Sequence, residues 1–176
     1  LNKLVEELDV LTLNAQPRIE SDGEAEIVFL DQLLIEVMSE FQLLIEQEER
    51  DIYIQVSPES AKIKSHYDKL SRILVNLLNN AFKYSDPGTK IEVVAQLTEQ
   101  ILTISVKDEG QGIAPEDLDK IFKRLYRVET SRNMKTGGHG LSLAIARELA
   151  HQLGGEITVE SQCGLGSTFT FALNLT

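Results

Sequence analysis

A chain of 176 residues, 42% of them hydrophobic and 26% charged, has the composition of an ordinary globular protein and can bury a sizeable core. Its net charge of -11 argues against a nucleic-acid-binding protein, and the single Cys163 excludes an internal disulfide. No apolar run reaches transmembrane length. We therefore expect one main domain in a reducing compartment, the cytoplasm. Because the chain begins at Leu1 rather than Met, we expect a piece of a longer protein, whose attachment to a membrane the sequence leaves open.

The N-terminal part differs in pattern from the rest of the chain. Leucines repeat at intervals of three and four from Leu1 to Leu11, which predicts a short amphipathic helix over residues 1–13. This helix either lies on the main domain or is the end of a severed dimerisation helix. The polar stretch 14–24 is typical of a linker and favours the second reading, with the main domain over residues 25–176.

The patterns that follow predict four elements. We expect a short strand over residues 25–29 and then one long amphipathic helix from Leu33 to Ile45, whose apolar residues recur at helical spacing. The acidic run after this helix is expected to be a solvated helix end. Two strands are predicted next, at Asp51–Val56 and at Ala61–Ser65.

An asparagine-rich helix is predicted at Tyr67–Tyr84. Its apolar residues form a core stripe, while Asn76, Asn80 and Lys83 fall at i, i+4 and i+7 and share another face. Asparagine is a poor helix former, so this face costs stability. Two readings remain open: a polar solvated face, or a row of groups that suits a hydrated Mg²⁺ and a chain of phosphates.

Two alternating strands follow a turn, at Ile91–Leu97 and Leu102–Val106. Asp108 has the parity of the apolar residues of the second strand, so we expect its side chain to point towards the buried layer, where it turns out to solvent or meets a specific donor. With Gly110 and Gly112 after it, a carboxylate at the bottom of a pocket can accept from the adenine amine. Such Asp-x-Gly turns are also common without any ligand.

The C-terminal part completes the predicted fold. We expect a short helix at Pro115–Ile121, a mobile lid over residues 127–138, a helix from Leu141 to Leu149, a strand at Ile157–Val159 and a last strand at Phe169–Leu175. Strands with one polar face, joined by hairpins and covered by helices on the other face, predict a two-layer α/β sandwich of the α+β class.

Two further features can bind phosphate. Gly137–Gly140 opens a predicted helix, where backbone amides bind anions, although glycines also end loops for steric reasons. Arg127 precedes the predicted lid and can reach a γ-phosphate; the alternative is an ordinary surface arginine.

Taken together and in order, these residues closely resemble the catalytic ATP-binding domain of bacterial sensor histidine kinases. That domain belongs to the GHKL superfamily, shared with gyrase and a heat-shock chaperone ATPase, and its Bergerat fold is a mixed, mostly antiparallel sheet covered on one face by helices. The likeness runs from about residue 25 to residue 175. The matching motifs are the N box Asn76–Ser85, the G1 box Asp108–Ile113, the F box Ile121–Arg127, the G2 box Gly138–Leu143 and a closing Gly-rich turn Gly164–Phe169.

The resemblance implies a site for ATP and Mg²⁺. Asn80 would coordinate the metal, Asn76 and Lys83 would contact phosphates, and Arg127 would stabilise the transferring γ-phosphoryl group. Lys83 and Arg127 are thus the expected catalytic residues. The segment between Arg127 and Gly138 would close over ATP.

The resemblance also implies how adenine is held. Asp108 would bind the adenine amine, with Ser167 assisting through water, and Tyr84 would pack near the adenine and ribose. The other expected nucleotide contacts come from the same motifs: Gly110, Gly112, Ile113, Tyr126, Gly138, His139, Gly140, Leu141 and Ser142.

The residue at position 76 favours a kinase over an ATPase. The ATPase relatives carry a glutamate four residues before the metal-binding asparagine, and it activates water. Asn76 is an amide that cannot act as a base, so we expect slow ATP hydrolysis. Phosphoryl transfer to a neutral imidazole needs no such base.

The phosphate acceptor is expected on another domain. The family's acceptor histidine is followed by an acidic residue and then a proline, and none of His66, His139 and His151 has this context. We therefore expect the acceptor upstream of Leu1, on a dimerisation domain, in a homodimeric protein that passes the phosphate to a response-regulator aspartate. This fragment should bind ATP without phosphorylating itself.

Two departures keep alternatives open. Ser142 stands where the G2 box usually has glycine, and Leu125 stands where the F box commonly has an aromatic residue. Ser142 disfavours a positive φ, and Leu125 weakens the expected anchoring of the lid. The alternatives are a non-catalytic nucleotide-binding or docking module and a protein-serine kinase of the anti-sigma type.

Overall fold

A computed structural model describes residues 23–126 and 141–175 of the chain. The predicted helix over residues 1–13, nearly all of the predicted linker and the predicted lid lie outside the described residues. None of the helices in the described ranges combines the length and the apolarity that a membrane span requires.

Eleven elements make up the described part of the chain, in which helices and strands alternate irregularly. In chain order they are β1 Glu26–Phe29, α1 Leu30–Ser39, α2 Gln42–Gln47, β2 Asp51–Ser57, β3 Lys62–Ser65, α3 Tyr67–Tyr84, β4 Lys90–Leu97, β5 Ile101–Asp108, α4 Ser142–Gln152, β6 Gly155–Gln162 and β7 Gly166–Asn174.

Five strands form one sheet in the order β2-β4-β5-β7-β6, and β1 pairs with β3 separately. Only the β2–β4 pair of the large sheet is parallel. Alternate residues of β4, β5 and β7 are buried, and α3 packs with α4 on that side. The predicted two-layer α+β sandwich is therefore confirmed, and the register places Asp108 between Ile91 and Ser167.

The predicted long helix from Leu33 to Ile45 is wrong, because the chain breaks it into α1 and α2. The break lies at Glu40 and Phe41, where Phe41 turns inward and its ring stacks on Phe82 of α3 with centroids 5.1 Å apart. Burial of this aromatic pair outweighs the continuation of one helix. The apolar residues keep their helical spacing across the break, so their periodicity could not predict it.

The predicted short helix at Pro115–Ile121 is also wrong, because the segment forms successive turns. Its backbone amides donate to carbonyls three and four residues earlier, as in the 2.8 Å bond from Lys120 to Asp117. The Tyr126 hydroxyl donates to the Asp117 side chain at 2.5 Å and folds the segment back on itself. A helix of so few residues has little stability of its own to resist this contact.

Candidate functional site

Helix α3 holds two buried asparagines on one face, Asn76 and Asn80. The Asn76 side-chain amide donates to the Arg72 carbonyl at 2.9 Å, which leaves its own carbonyl oxygen available. The Asn80 side chain is only 8% exposed. No group among the described residues hydrogen-bonds its carboxamide. A buried amide without a partner is costly, so this position is arranged for something other than stability.

Lys83 and Tyr84 follow in the last turn of α3, and both are half-buried. The Lys83 ammonium lies 5.2 Å from the centroid of the Tyr84 ring. This cation–π contact holds a positive charge beside a flat apolar surface. The end of α3 thus carries a metal-type oxygen ligand at Asn80, a cation and an aromatic ring within five residues.

Asp108 ends β5 with its carboxylate in the buried layer, as its parity predicts. The side chain is 3% exposed, and burial raises its pKa to about 6. Backbone N–H groups of Gly110, at 2.9 Å, and of Ser167 oppose this rise, as does the charge of Arg50. Asp108 therefore meets specific donors rather than solvent and is ionised at neutral pH.

Three glycines around Asp108 lie too close to other backbone for any side chain. A Cβ on Gly110 would lie 2.2 Å from the Tyr84 carbonyl oxygen, and one on Gly112 would lie 2.1 Å from that of Gln162. A Cβ on Gly166 would lie 2.0 Å from the carbonyl oxygen of Asp108 itself. The loop after β5 is therefore pressed between the end of α3 and the β6–β7 turn. We call these surroundings of Asp108 and the last two turns of α3 the α3–β5 site.

The Gly112 contact makes a testable prediction. Gly112 and Gly154 both have a positive φ, +72° and +81°, but only Gly112 lacks room for a Cβ. Replacing Gly154 with Ala should cost about 1 kcal/mol of unfolding free energy through backbone strain alone. Gly112→Ala should cost about 3 kcal/mol because the clash adds to the strain. Urea denaturation measures both, and equal losses would show that the loop is not tightly held.

Sequence reasoning missed Ser161, which joins the loop to the sheet. The Ile113 N–H donates to the Ser161 hydroxyl oxygen at 2.7 Å, and that hydroxyl donates to the Gly166 carbonyl at 3.0 Å. The Ser161 and Ser167 hydroxyls lie 2.8 Å apart across β6 and β7. Ser161 has no motif around it, and only the strand register brings it to this position.

The F-box segment is anchored without the usual aromatic residue at position 125. The Phe122 ring meets the Phe169 ring edge-on at 6.2 Å, and the Arg147 guanidinium lies 5.3 Å from the Phe122 centroid. Leu125 itself is 68% exposed, with φ at +62°. Phe122, and Tyr126 bonded to Asp117, hold the described part of the F-box segment in place.

Helix α4 shows the backbone conformation at Ser142. Ser142 is the first residue of this helix, and its φ is not positive. The backbone at this position therefore does not require glycine. Leu141 before it is buried. Four predicted site residues lie outside the described residues: Arg127, Gly138, His139 and Gly140.

Comparison with known proteins agrees with this geometry. A family model described as histidine kinase-, DNA gyrase B-, and HSP90-like ATPase matches residues 65–176. The histidine protein kinase SaeS of Staphylococcus epidermidis is 41% identical over 150 residues, which are 84% of this chain and 43% of that protein. The chain thus spans less than half the length of this curated relative.

Two solved structures share the fold. The Acinetobacter baumannii histidine kinase AdeS matches 99% of this chain and 78% of its own, with a TM-score of 0.79 and 25% identity. Full-length ShkA in complex with AMPPNP matches 97% of this chain and 35% of its own, with a TM-score of 0.76 and 25% identity. Together with the family match, which covers both α3 and the Asp108 loop, this shows that the chain belongs to the family of histidine kinase-, DNA gyrase B-, and HSP90-like ATPases.

Proposed function

We propose that the chain binds Mg²⁺-ATP at the α3–β5 site and transfers its γ-phosphoryl group to a histidine on a separate dimerisation domain. The observation that carries this proposal is the buried carboxamide of Asn80, which has no hydrogen-bond partner among the described residues. It lies one turn before Tyr84, whose carbonyl supports the loop that follows Asp108. A ligand that reaches the Asn80 carboxamide would supply the partner that this buried group lacks.

The residues present fit a magnesium ion. Mg²⁺ prefers oxygen ligands, keeps several waters, and is commonly held by one or two protein groups together with substrate phosphates. The Asn80 side-chain oxygen would supply one such ligand, and it has no other partner among the described residues. Bound with ATP, the ion would neutralise phosphate charge during transfer.

The adenine end of the site is assigned to Asp108. Its carboxylate is ionised at neutral pH and accepts hydrogen bonds, so it is suited to the exocyclic amine of adenine. Gly110, Gly112 and Ile113 would contact the base through their backbone, and the Tyr84 carbonyl lies against Gly110. Ser167, whose hydroxyl lies 2.8 Å from that of Ser161, would hold a bridging water.

The phosphates of ATP are assigned to the face of α3 that carries Asn76 and Asn80. By family resemblance, they are also assigned to the chain on either side of residue 140. Asn76 and Lys83 would contact the phosphates, and Arg127 would stabilise the transferring group. The remaining nucleotide contacts are assigned to Tyr126, Gly138, His139, Gly140, Leu141 and Ser142. Catalysis then consists of positioning and charge neutralisation, which suffice for phosphoryl transfer.

Transfer to histidine is favoured over hydrolysis. Asn76 cannot act as a general base for water, whereas a neutral imidazole nitrogen attacks without one. The relationship to SaeS, named a histidine protein kinase, supports this assignment. We assign residues 1–13 to the end of a dimerisation helix, 14–24 to a linker and 25–176 to the catalytic domain of a homodimeric, cytoplasmic kinase with a response regulator as its partner.

A transfer assay tests the proposal. The chain is incubated with γ-labelled ATP, Mg²⁺ and a separately prepared dimerisation domain from the same protein, and the label on that domain is followed. We expect acid-labile, base-stable label on that domain and none on the chain. Acid-stable label would indicate a serine kinase, and ATP binding without transfer would indicate a non-catalytic module; either result would overturn the proposal. Asp108→Asn serves as the inactive control.

A further inference from the structure

Arg50 is the one strongly buried cation whose role the proposed site does not use, among the residues that the structure describes. Its side chain is 0% exposed and all five of its N–H donors are engaged. Sequence reasoning passed over it because it follows a charged run that reads as a solvated helix end. An arginine with a completely filled set of partners is a fixed point in the structure.

The guanidinium of Arg50 closes the C-terminal end of α3. One terminal nitrogen donates to the Phe82 carbonyl at 3.0 Å and to the Ser85 carbonyl at 2.8 Å. These are carbonyls that the end of a helix leaves without helical partners, and a cation there also complements the helix dipole. The guanidinium lies 5.3 Å from the Phe82 ring centroid as well.

The other donors of Arg50 fasten the turn after α3. The second terminal nitrogen donates to the Ser85 and Thr89 hydroxyls, each at 2.8 Å, and Nε donates to the Glu48 carboxylate at 2.7 Å. The Gly88 N–H in turn donates to the Glu48 carbonyl at 2.8 Å. The segment before β2 thus holds the α3 end from outside the site.

The carbonyls that Arg50 holds lie on either side of Lys83 and Tyr84. The Tyr84 carbonyl accepts the Gln111 N–H at 3.3 Å and leaves no room for a side chain on Gly110. We propose that Arg50 is a positioning residue for nucleotide binding: it fixes the end of α3 and, through the Tyr84 carbonyl, the loop that orients Asp108. This inference rests on the proposed function, since it concerns the same site.

Arg50→Lys separates geometry from charge. Lysine keeps the positive charge but has three donors on one atom, so it cannot hold two carbonyls, two hydroxyls and a carboxylate together. We expect Mg²⁺-ATP affinity, measured by titration calorimetry, to fall about tenfold because the loop moves relative to α3. Amide exchange of Gln111 should become faster at the same time.

Val37→Ala is the matched control, because it deletes buried volume in α1 and lies outside the α3–β5 site. It should lower the melting temperature while leaving nucleotide affinity and Gln111 exchange unchanged. A purely structural Arg50 predicts that both variants retain wild-type affinity once folded, and that result would overturn the inference. Absence of Mg²⁺-ATP binding to the unmodified chain would overturn the proposed function as well.

Ser85→Ala covers the case in which Arg50→Lys does not fold. It removes the hydroxyl that accepts from Arg50 and donates to the Ala81 carbonyl, and it keeps both the charge and the Ser85 carbonyl contact. An affinity loss of about threefold is expected, within the range of the two lost hydrogen bonds. Wild-type affinity in this variant would count against the inference.

Discussion

Asp108→Asn should weaken Mg²⁺-ATP binding about 100-fold, the cost of losing a charged acceptor in a buried site. The Asp108 carboxylate has two acceptor oxygens for the adenine amine and for the Gly110 and Ser167 N–H groups. A carboxamide has only one acceptor oxygen for all three donors. Titration calorimetry near pH 8 measures the loss. Asp119→Asn, which removes an exposed carboxylate, is the control and should retain affinity. Unchanged binding by Asp108→Asn would contradict the adenine assignment.

The same substitution should stabilise the nucleotide-free fold at neutral pH. The folded pKa of Asp108 is about 6, above its ordinary value of 3.8, so the folded state binds the proton more tightly than the unfolded state. The carboxylate therefore adds stability when protonated, below about pH 4, and this is lost as the pH rises through 6. The wild type should lose about 2 kcal/mol relative to Asp108→Asn between pH 4 and pH 8. Urea denaturation near pH 4 and pH 8 measures it; a pH-independent difference would contradict the burial of this carboxylate.

Asn80→Ala should remove the Mg²⁺ dependence of ATP binding. If Asn80 supplies the metal ligand, then affinity with and without EDTA becomes equal, and phosphoryl transfer falls about 1000-fold through lost charge neutralisation. Because the Asn80 amide has no partner among the described residues and Ala is the better helix former, the nucleotide-free fold should not be destabilised.

Asn79→Ala is the matched control for Asn80→Ala. Asn79 is the neighbouring asparagine of α3 and is only half-buried. It lies about 100° around the helix from Asn80 and is not the proposed metal ligand, so the Mg²⁺ dependence should persist in this variant. Persistence of that dependence in Asn80→Ala would reject the metal role.

Local patterns predicted the elements that build the site. Helical spacing gave α3 its observed limits, Tyr67 and Tyr84, and strand alternation placed Asp108 in the buried layer. Both succeed because the apolar residues that α3 and β5 turn towards the core are buried at regular helical and strand spacing. Alternation also predicted β4 and β7, whose buried faces cover the same core.

Such local patterns could not predict the contacts between residues that are distant in the sequence. Arg50 meets partners 32 to 39 residues away, and Ser161 meets the Ile113 amide 48 residues away. The stacking of Phe41 on Phe82, which divides the first helix, depends on how α1 and α3 pack. None of these contacts leaves a repeat or a motif in the sequence, since each depends on where another element lies.

Parallel titrations with Mg²⁺-ATP and Mg²⁺-GTP near pH 8 test most directly whether the α3–β5 site binds adenine nucleotides. Adenine offers an amine to the Asp108 carboxylate, whereas guanine presents a carbonyl oxygen at the corresponding position. We expect saturable binding of a single ATP per chain and GTP binding about 100-fold weaker, because an oxygen would face a buried negative charge. Equal affinities for the two nucleotides, or no saturable ATP binding, would contradict recognition of adenine by Asp108.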